Sequence, residues 1–540
     1  MAIVRGVVDH CRIDKTMASG STMVVFGDQA NHRPIRDSLG SPPMTGCTRS
    51  LGTRAQSNRH TRSVTIASIS MVASLVLALS FAPGPSASAS SGPIADIAWS
   101  PCPHTAGYLC ARLPVPLDYQ NLSRGSIRMS VIEHPVANSK GVVVFNPGGP
   151  GESGVSILPI LASLVPAVVR QDFTLVSFDE RGTGSSTPLL CGPSVAAAGS
   201  AVAGTAGATR VFSHLERSCR AAHPALFPTV TTTTSARDMN QLRLGLGAER
   251  INYYGVSYGT VLGSVYRQLF PSHIRSMVLD GAVDANLSLA TDATLEAPAI
   301  QTATEYELRR CAASPGCPLG TQPVTLFKKL AQRLARSPLP APGGGDTTKV
   351  TEGDLTTATL LYLSAPKFTP GYFQALASAA EGHGAALRSV AEALETDLNG
   401  KSLVGPLWTI TCNDAVAHPD AKATATLARA LATRYPLGGA EAVANNLIGC
   451  PGWTGVHGAV AHLHPNQAPT PLVIGNTGDP NTPYASAEAL TSAIGGRLVT
   501  YVGYGHSWLL NGSANACMQS VVGDYFVSGT LPARGTRCHA

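Results

Sequence analysis

Gly255-Val-Ser257-Tyr-Gly259 lies between an apolar stretch, Ile251 to Tyr254, and a helix-forming one, Thr260 to Phe270. A serine in such a G-x-S-x-G sequence becomes a nucleophile when it sits on a sharp strand-to-helix turn. The glycines let the backbone pass closely, and the helix N-terminus aims N–H groups at a developing oxyanion. In a chain with 54 glycines the motif alone is weak, so its strand-and-helix context carries the reading. A nucleophilic serine needs a base, and the base needs an acid to orient it. Asp479 closes the apolar run that starts at Pro471, and His506 follows the next one, Arg497 to Gly505. His418, His457, His462 and His464 also lie downstream, but none directly follows a hydrophobic strand, and His462-x-His464 reads as solvated loop rather than a metal pair. Ser257 is therefore expected as nucleophile, His506 as base and Asp479 as acid, with Asp414 the runner-up acid.

A second glycine motif, Gly149-Pro-Gly151-Glu-Ser-Gly154, fits the G-x-G-x-x-G outline of a dinucleotide site, with Asp179 ending the next strand. The acid stands 25 residues past the last glycine, and the motif is mid-chain. The leader also implies export, away from a nicotinamide pool. A better role is the second oxyanion donor, which a hydrolase of this kind takes from the loop after an earlier strand. Pro147 and Pro150 carry no N–H and fix the turn, leaving Gly149 as the donor, with Tyr258 supplying the other. Glu152, three residues on, is a candidate for substrate binding or for capping the helix that starts near Val155.

The elements that must hold these residues follow from patterning. Gly141 to Asn146 and Phe173 to Phe178 read as buried parallel strands, with a helix between them over Val155 to Val165. Ser126 to Val136 and Ile274 to Asp284 read as further strands, and Thr234 to Leu246 as a helix. Residues 194–209, rich in Ala, Gly and Ser, read as loop. Strands alternating with helices imply a mostly parallel sheet. Residues 285–410 break that rhythm with Ala- and Leu-rich helical spacing, as a helical cap would. The expected organisation is an N-terminal extension (1–62), a signal region (63–89), a first core part (90–284), the cap (285–410) and a C-terminal core part (411–540).

The 540 residues carry 39 Lys+Arg against 33 Asp+Glu, with 13% charged and 44% hydrophobic. Wholesale disorder is excluded by that balance, and the length suffices for a sizeable core. Residues 1–62 hold five of the six net positive charges, so the remaining body is nearly neutral and gives no reason to expect a nucleic-acid partner. Residues 63–81 are uncharged and mostly apolar, preceded by Arg54, Arg59 and Arg62 and followed by Ala87-Ser88-Ala89. This is the outline of a cleaved export signal, against the rival of a retained anchor. Export with no stable membrane insertion after cleavage is expected. Ten cysteines follow the cut and fall as near neighbours: 102–110, 191–219, 311–317, 412–450 and 517–538. Disulfides in an oxidising compartment are expected, and no cofactor or metal site.

Several motifs carry a family resemblance: NPGGPGESG (146–154), FDERGTGSS (178–186), YYGVSYGT (253–260), LDGAVD (279–284), ITCNDA (410–415), GDPNTP (478–483) and GYGH (503–506). With them the chain resembles the α/β-hydrolase superfamily. Within it, the chain is similar to the bacterial secreted tripeptidyl aminopeptidases, relatives of prolyl aminopeptidases. The cysteines at 311, 317, 412 and 450 look like that family's pattern. The resemblance implies the α/β-hydrolase fold, Ser257 as nucleophile, Asp479 as acid, His506 as base and no cofactor. Glu152 departs from the small residue usual there, which bears on the substrate mouth.

The expected activity is that of a secreted serine aminopeptidase releasing short peptides from peptide substrates through an acyl-enzyme. Glu152, Asp280, Asp284 and Asp414 are the candidate partners of a substrate's α-amine, each also readable as solvated loop charge or a helix cap. A carboxylesterase or lipase with the same triad is the enzyme-class alternative, and a catalytically silent envelope protein the non-enzyme one. The mature chain should begin near Ser90 and hold no free thiol. Intact mass before and after alkylation without reductant checks both points, and alkylation of several cysteines in native protein would refute the five pairs.

Overall fold

The computed structural model describes residues 97–192, 201–202, 205–343, 348–369, 371–455 and 462–540. The expected extension and signal region lie outside the described residues. In chain order the strands are β1 (Ser100–Pro101), β2 (Leu109–Pro116), β3 (Ser126–His134), β4 (Val142–Asn146), β5 (Thr174–Phe178), β6 (Ile251–Val256), β7 (Ile274–Asp280), β8 (Leu339–Pro340), β9 (Lys349–Val350), β10 (Leu472–Gly478), β11 (Arg497–Tyr504) and β12 (Arg537–His539). Ten of them form one sheet in the order β1-β2-β3-β5-β4-β6-β7-β10-β11-β12, and β8 with β9 makes a small separate ribbon. Pairing is antiparallel from β1 to β5 and parallel from β5 to β12.

Alternation along each strand sends neighbours to opposite faces. Val143 and Phe145 pack with Leu158, Trp508, Val522 and Phe526 on one face. Val144 and Tyr253 pack with Met239, Leu242 and Leu262 on the other. The sheet is thus flanked by helices on both sides, as the α/β-hydrolase resemblance implies. β2 was not legible in its Pro-rich sequence. Pro114 and Pro116 are tolerated because β1 pairs only with Leu109 and Cys110, leaving the proline half of β2 hydrogen-bonded on one side alone. The end of the expected loop also differs: Thr205 caps a helix, Ala206–Ala222, through its side chain to Ala208 N.

Between β7 and β10 the elements of the described residues are helices, apart from the β8–β9 ribbon. Ile300, Phe327, Leu376, Leu431 and Val443 share an apolar cluster of their own, so the cap packs around its own core. That cluster reaches past residue 410, whereas Trp408, Ile410 and Cys412 join the apolar layer beneath the sheet. Cap and core therefore interleave in sequence: helix Val404–Asp414 belongs to the core side, and helices Ala421–Arg434 and Gly439–Asn446 return to the cap. All five near-neighbour cysteine pairs are bonded. Among the described residues, no helix is long and apolar enough to cross a membrane.

A buried ion pair fastens the loop after β5. Arg181 and Asp238 are both fully buried and meet through two parallel 2.7 Å bonds. The guanidinium's remaining protons reach the carbonyls of Pro116 and Leu117 and Thr229 Oγ1, and Tyr119 donates to Asp238 at 2.7 Å. Removing one member strands the other in low dielectric, which typically costs about 3–5 kcal/mol. Asp238→Ala should lose stability on that scale in a denaturant titration, whereas Arg181→Met/Asp238→Leu should lose distinctly less.

Candidate active site

Ser257 sits between β6 and helix Tyr258–Leu269 with φ 57° and ψ −127°, a conformation that only a sharp turn imposes on a non-glycine residue. The turn is closed too tightly for side chains: a Cβ on Gly255 would lie 2.3 Å from Gly259 O, and one on Gly259 2.6 Å from Asn146 O. The Ser257 side chain makes no capping bond, and its N–H donates to Asp280 O at 2.9 Å. Tyr258 N–H is at the first helical position, where no intrahelical acceptor exists. Gly149 and Pro150 stand on the same cavity wall as Ser257 and Tyr258.

Asp479, one residue beyond β10, is fixed by Asn481 N–H, Thr482 N–H and Oγ1, and Ser507 N–H, all at 2.9–3.0 Å. Both of its oxygens lie 3.0 Å from His506 Nδ1. His506 Nε2 is buried and makes no hydrogen bond, which leaves that nitrogen to handle a proton. The imidazole and Ser257 approach adjacent residues: Ser257 N–H bonds Asp280 O, and a Cβ on Gly281 would fall 3.0 Å from His506 Cε1. Burial opposes protonation of His506, but the charge and hydrogen bond of Asp479, with Asp280 behind, outweigh it and hold its pKa above the ordinary value.

Two further sets of bonds support this geometry, and neither was legible in the sequence. The first runs beneath the turn. Asn146 Oδ1 accepts from Gly148 N–H at 3.0 Å, while its Nδ2 donates to buried Glu180 at 3.1 Å. Tyr258 Oη meets Thr232 Oγ1 at 2.5 Å and donates to Glu180 at 3.3 Å. Burial pushes Glu180 up to about 7, against its bonds from Asn146, Ser235 and Tyr258. The second set comes from the cap. Ser364, ending helix Glu352–Ser364, accepts at its carbonyl from His506 N–H (3.1 Å) and Asn511 Nδ2 (2.8 Å), and at Oγ from Asn481 Nδ2 (2.7 Å). One cap residue thereby holds the loops of both Asp479 and His506.

The cavity facing Ser257 measures about 530 Å³. Asp284, Asp292, Glu296 and Asp414 line it, and no lysine or arginine does. Asp414 accepts from Thr232 N–H at 3.0 Å, and burial pushes it up to about 7 against those bonds. Burial, then the neighbouring Asp284, raises Asp292 to about 7. Buried Glu296, bonded by Asn445 and Asn446, is held well above the ordinary carboxylate value by burial and then by Asp292. Asp292 and Glu296 were missed from sequence, although acids four apart on one helix, with no basic partner between, were the available signal.

The structure does not bring Glu152 or Asp280 to this wall. Glu152 is half-buried: its Oε2 is buried without a hydrogen-bond partner, and burial, then Asp397, pushes it up to about 7. Nor does it cap the following helix, where Ser153 and Asp179 take the free N–H groups of Ser156 and Val155. Asp280 accepts from Tyr254 Oη, Trp508 N–H and Leu509 N–H, each at 2.9 Å, and so anchors the helix after His506. His457 lies outside the described residues, and among those described no group of three His, Cys, Asp or Glu could hold a metal ion.

The profile described as "alpha/beta hydrolase fold" matches residues 141–513. Serine protease Hip1 of Mycobacterium tuberculosis is 29% identical over 483 residues, 82% of this chain and 91% of that protein. Carboxylesterase B of the same organism is 31% identical over 461 residues, covering 79% and 86%. A shorter match, 34% over 189 residues (32% and 35%), is to tripeptidyl aminopeptidase of Streptomyces lividans.

A fluorophosphonate should label one serine, in the peptide holding Gly255–Gly259. Its rate should rise with pH as His506 loses its proton. Because that pKa is raised, the midpoint should lie above the ordinary 6.5. Asp479→Asn should slow labelling and move the midpoint down; a midpoint at or below 6.5 in the unaltered protein would contradict the assignment.

Proposed function

The chain belongs to the α/β-hydrolase fold family, and on that premise we propose that it is an exported serine peptidase that releases short peptides from free N-termini. Ser257 Oγ attacks the scissile carbonyl and passes its proton to His506 Nε2, while Asp479 holds the imidazole's tautomer and stabilises its charge. The N–H groups of Gly149 and Tyr258 bind the oxyanion. His506 then protonates the leaving amine, and water releases the acyl group by the same route in reverse. The named relatives that are a serine protease and a tripeptidyl aminopeptidase support peptide chemistry. Five disulfides support an oxidising location.

The observation that carries the aminopeptidase reading is the cavity's charge. Four carboxylates line the cavity with no lysine or arginine among them. Burial, then Asp284, raises Asp292; burial, then Asp292, raises Glu296; and an entering α-ammonium relieves that repulsion. Asp284 and Asp414 are the sequence-derived candidates this supports, and Asp292 and Glu296 join them. The carboxylesterase B relative favours ester substrates instead, on the same machinery.

Paired assays separate these readings. A free-amine peptide should exceed its N-acetylated form in kcat/KM by roughly tenfold to a hundredfold, the worth of one charge-assisted bond. Asp292→Asn should erode that preference without slowing the acetylated substrate. The preference should also fade as pH drops through about 7, where Asp292 and Asp414 take up protons. Faster turnover of short-chain esters and acetylated peptides than of free amines would sink the aminopeptidase reading and leave the esterase.

A further inference from the structure

The antiparallel end of the sheet carries positive charge that makes no ion pair with a carboxylate among the described residues, with only the field of buried Asp179 reaching Lys401. Arg112 on β2 faces Ser130 across the ladder, and Arg128 stands two residues before Ser130, so both arginines project from the same face. Both are exposed, while their neighbours Leu113, Ile127 and Met129 point inward. Diagonal neighbours of this kind are about 7–8 Å apart, within reach of long side chains. Lys401, on the segment between helices Ala385–Glu395 and Val404–Asp414, reaches the same place. Its Nζ donates to Gly184 O and Ser185 Oγ, both at 2.8 Å, and Arg112 donates to Ser185 O at 2.8 Å.

These three cations wall a pocket of about 450 Å³ together with Ser126, Ser185 and Thr187, and no aspartate or glutamate lines it. It shares no wall residue with the cavity at Ser257. Some exposed arginines sit against acids, as Arg124 does with Asp118, Arg220 with Glu216 and Arg309 with Glu305. Among the described residues Arg112, Arg128 and Lys401 have no such partner. The acid beneath, Asp179, is buried and already accepts from Ser153 Oγ, Val155 N–H and Ser185 N–H. Ser185 Oγ accepts from Lys401, so its own proton remains to be given. Guanidinium forks, an ammonium and a free hydroxyl match the geometry and charge of tetrahedral oxygens.

We propose that this pocket binds a phosphate-class oxyanion, held by Arg112, Arg128, Lys401 and the Ser185 hydroxyl. The anion bridges the sheet and the segment leading from the cap, and so ties the two together. Neither the activity nor the substrate proposed for Ser257 bears on it.

Calorimetric titration of the protein with inorganic phosphate, at ionic strength fixed with sodium chloride, tests the site. One saturable event is expected, roughly millimolar or tighter. Arg128→Gln, which removes an exposed side chain without a partner, should weaken it at least tenfold while leaving the rate of fluorophosphonate labelling unchanged. Vesicles of phosphatidylglycerol separate the sources of the group. Cosedimentation removed by Arg128→Gln marks a lipid headgroup, and phosphate binding without cosedimentation marks a free anion; both sustain the site. No saturable binding of phosphate or vesicles, or binding indifferent to Arg128→Gln, overturns it.

Discussion

The tightest place in the molecule is the turn at Ser257, and much of the surrounding structure exists to close it. A serine at φ 57° is unfavourable by itself and persists only where its neighbours leave no alternative. Those neighbours are backbone: Gly255 against Gly259, Gly259 against Asn146, and Gly148 with room for no Cβ beside Val256 O. The close approach locks the end of β4 to the end of β6. The loop carrying Gly149 and the turn carrying Ser257 are therefore one rigid unit, and Glu180 braces it from below through Asn146 and Tyr258.

Buried charge has two different uses here. At Arg181–Asp238 opposite charges and a full set of bonds neutralise each other, and the result is a fastened loop. Around the cavity at Ser257 the carboxylates have no lysine or arginine beside them, and burial first raises Asp292, Glu296 and Asp414, with neighbouring acids adding to it. Such a cavity is left electrostatically unfinished by the protein and completed by what enters it. The basic pocket at Arg112, Arg128 and Lys401 is its counterpart of opposite sign.

The cap does more than cover the cavity. Ser364 bonds both loops that flank the Asp479–His506 pair, and Glu296 and Asp292 project from a cap helix onto the cavity wall. Its sequence also interleaves with the core, since Cys412 of the core layer is bonded to Cys450 while the helices between them pack in the cap. Any opening of the cap as a lid has to break the bonds of Ser364 to the His506 backbone and to Asn481 and Asn511.

By itself the sequence determined what depends on near neighbours. Buried runs of β-branched residues specify strands, G-x-S-x-G between strand and helix specifies the turn, and clustered cysteines specify their pairs. The fold class, the sharp turn at Ser257 and the five disulfides were legible for that reason. Tertiary structure alone decided which distant polar groups meet. Glu152, promising by position, lies away from the cavity wall and within the field of Asp397, while Asp292 and Glu296, unremarked in sequence, line the cavity. Thr232 finds Asp414, and Arg112 finds Ser185, across separations of 182 and 73 residues. Local patterning fixes which face of an element is apolar, but a polar side chain's partner is set by how whole elements pack, and no short stretch of sequence encodes that.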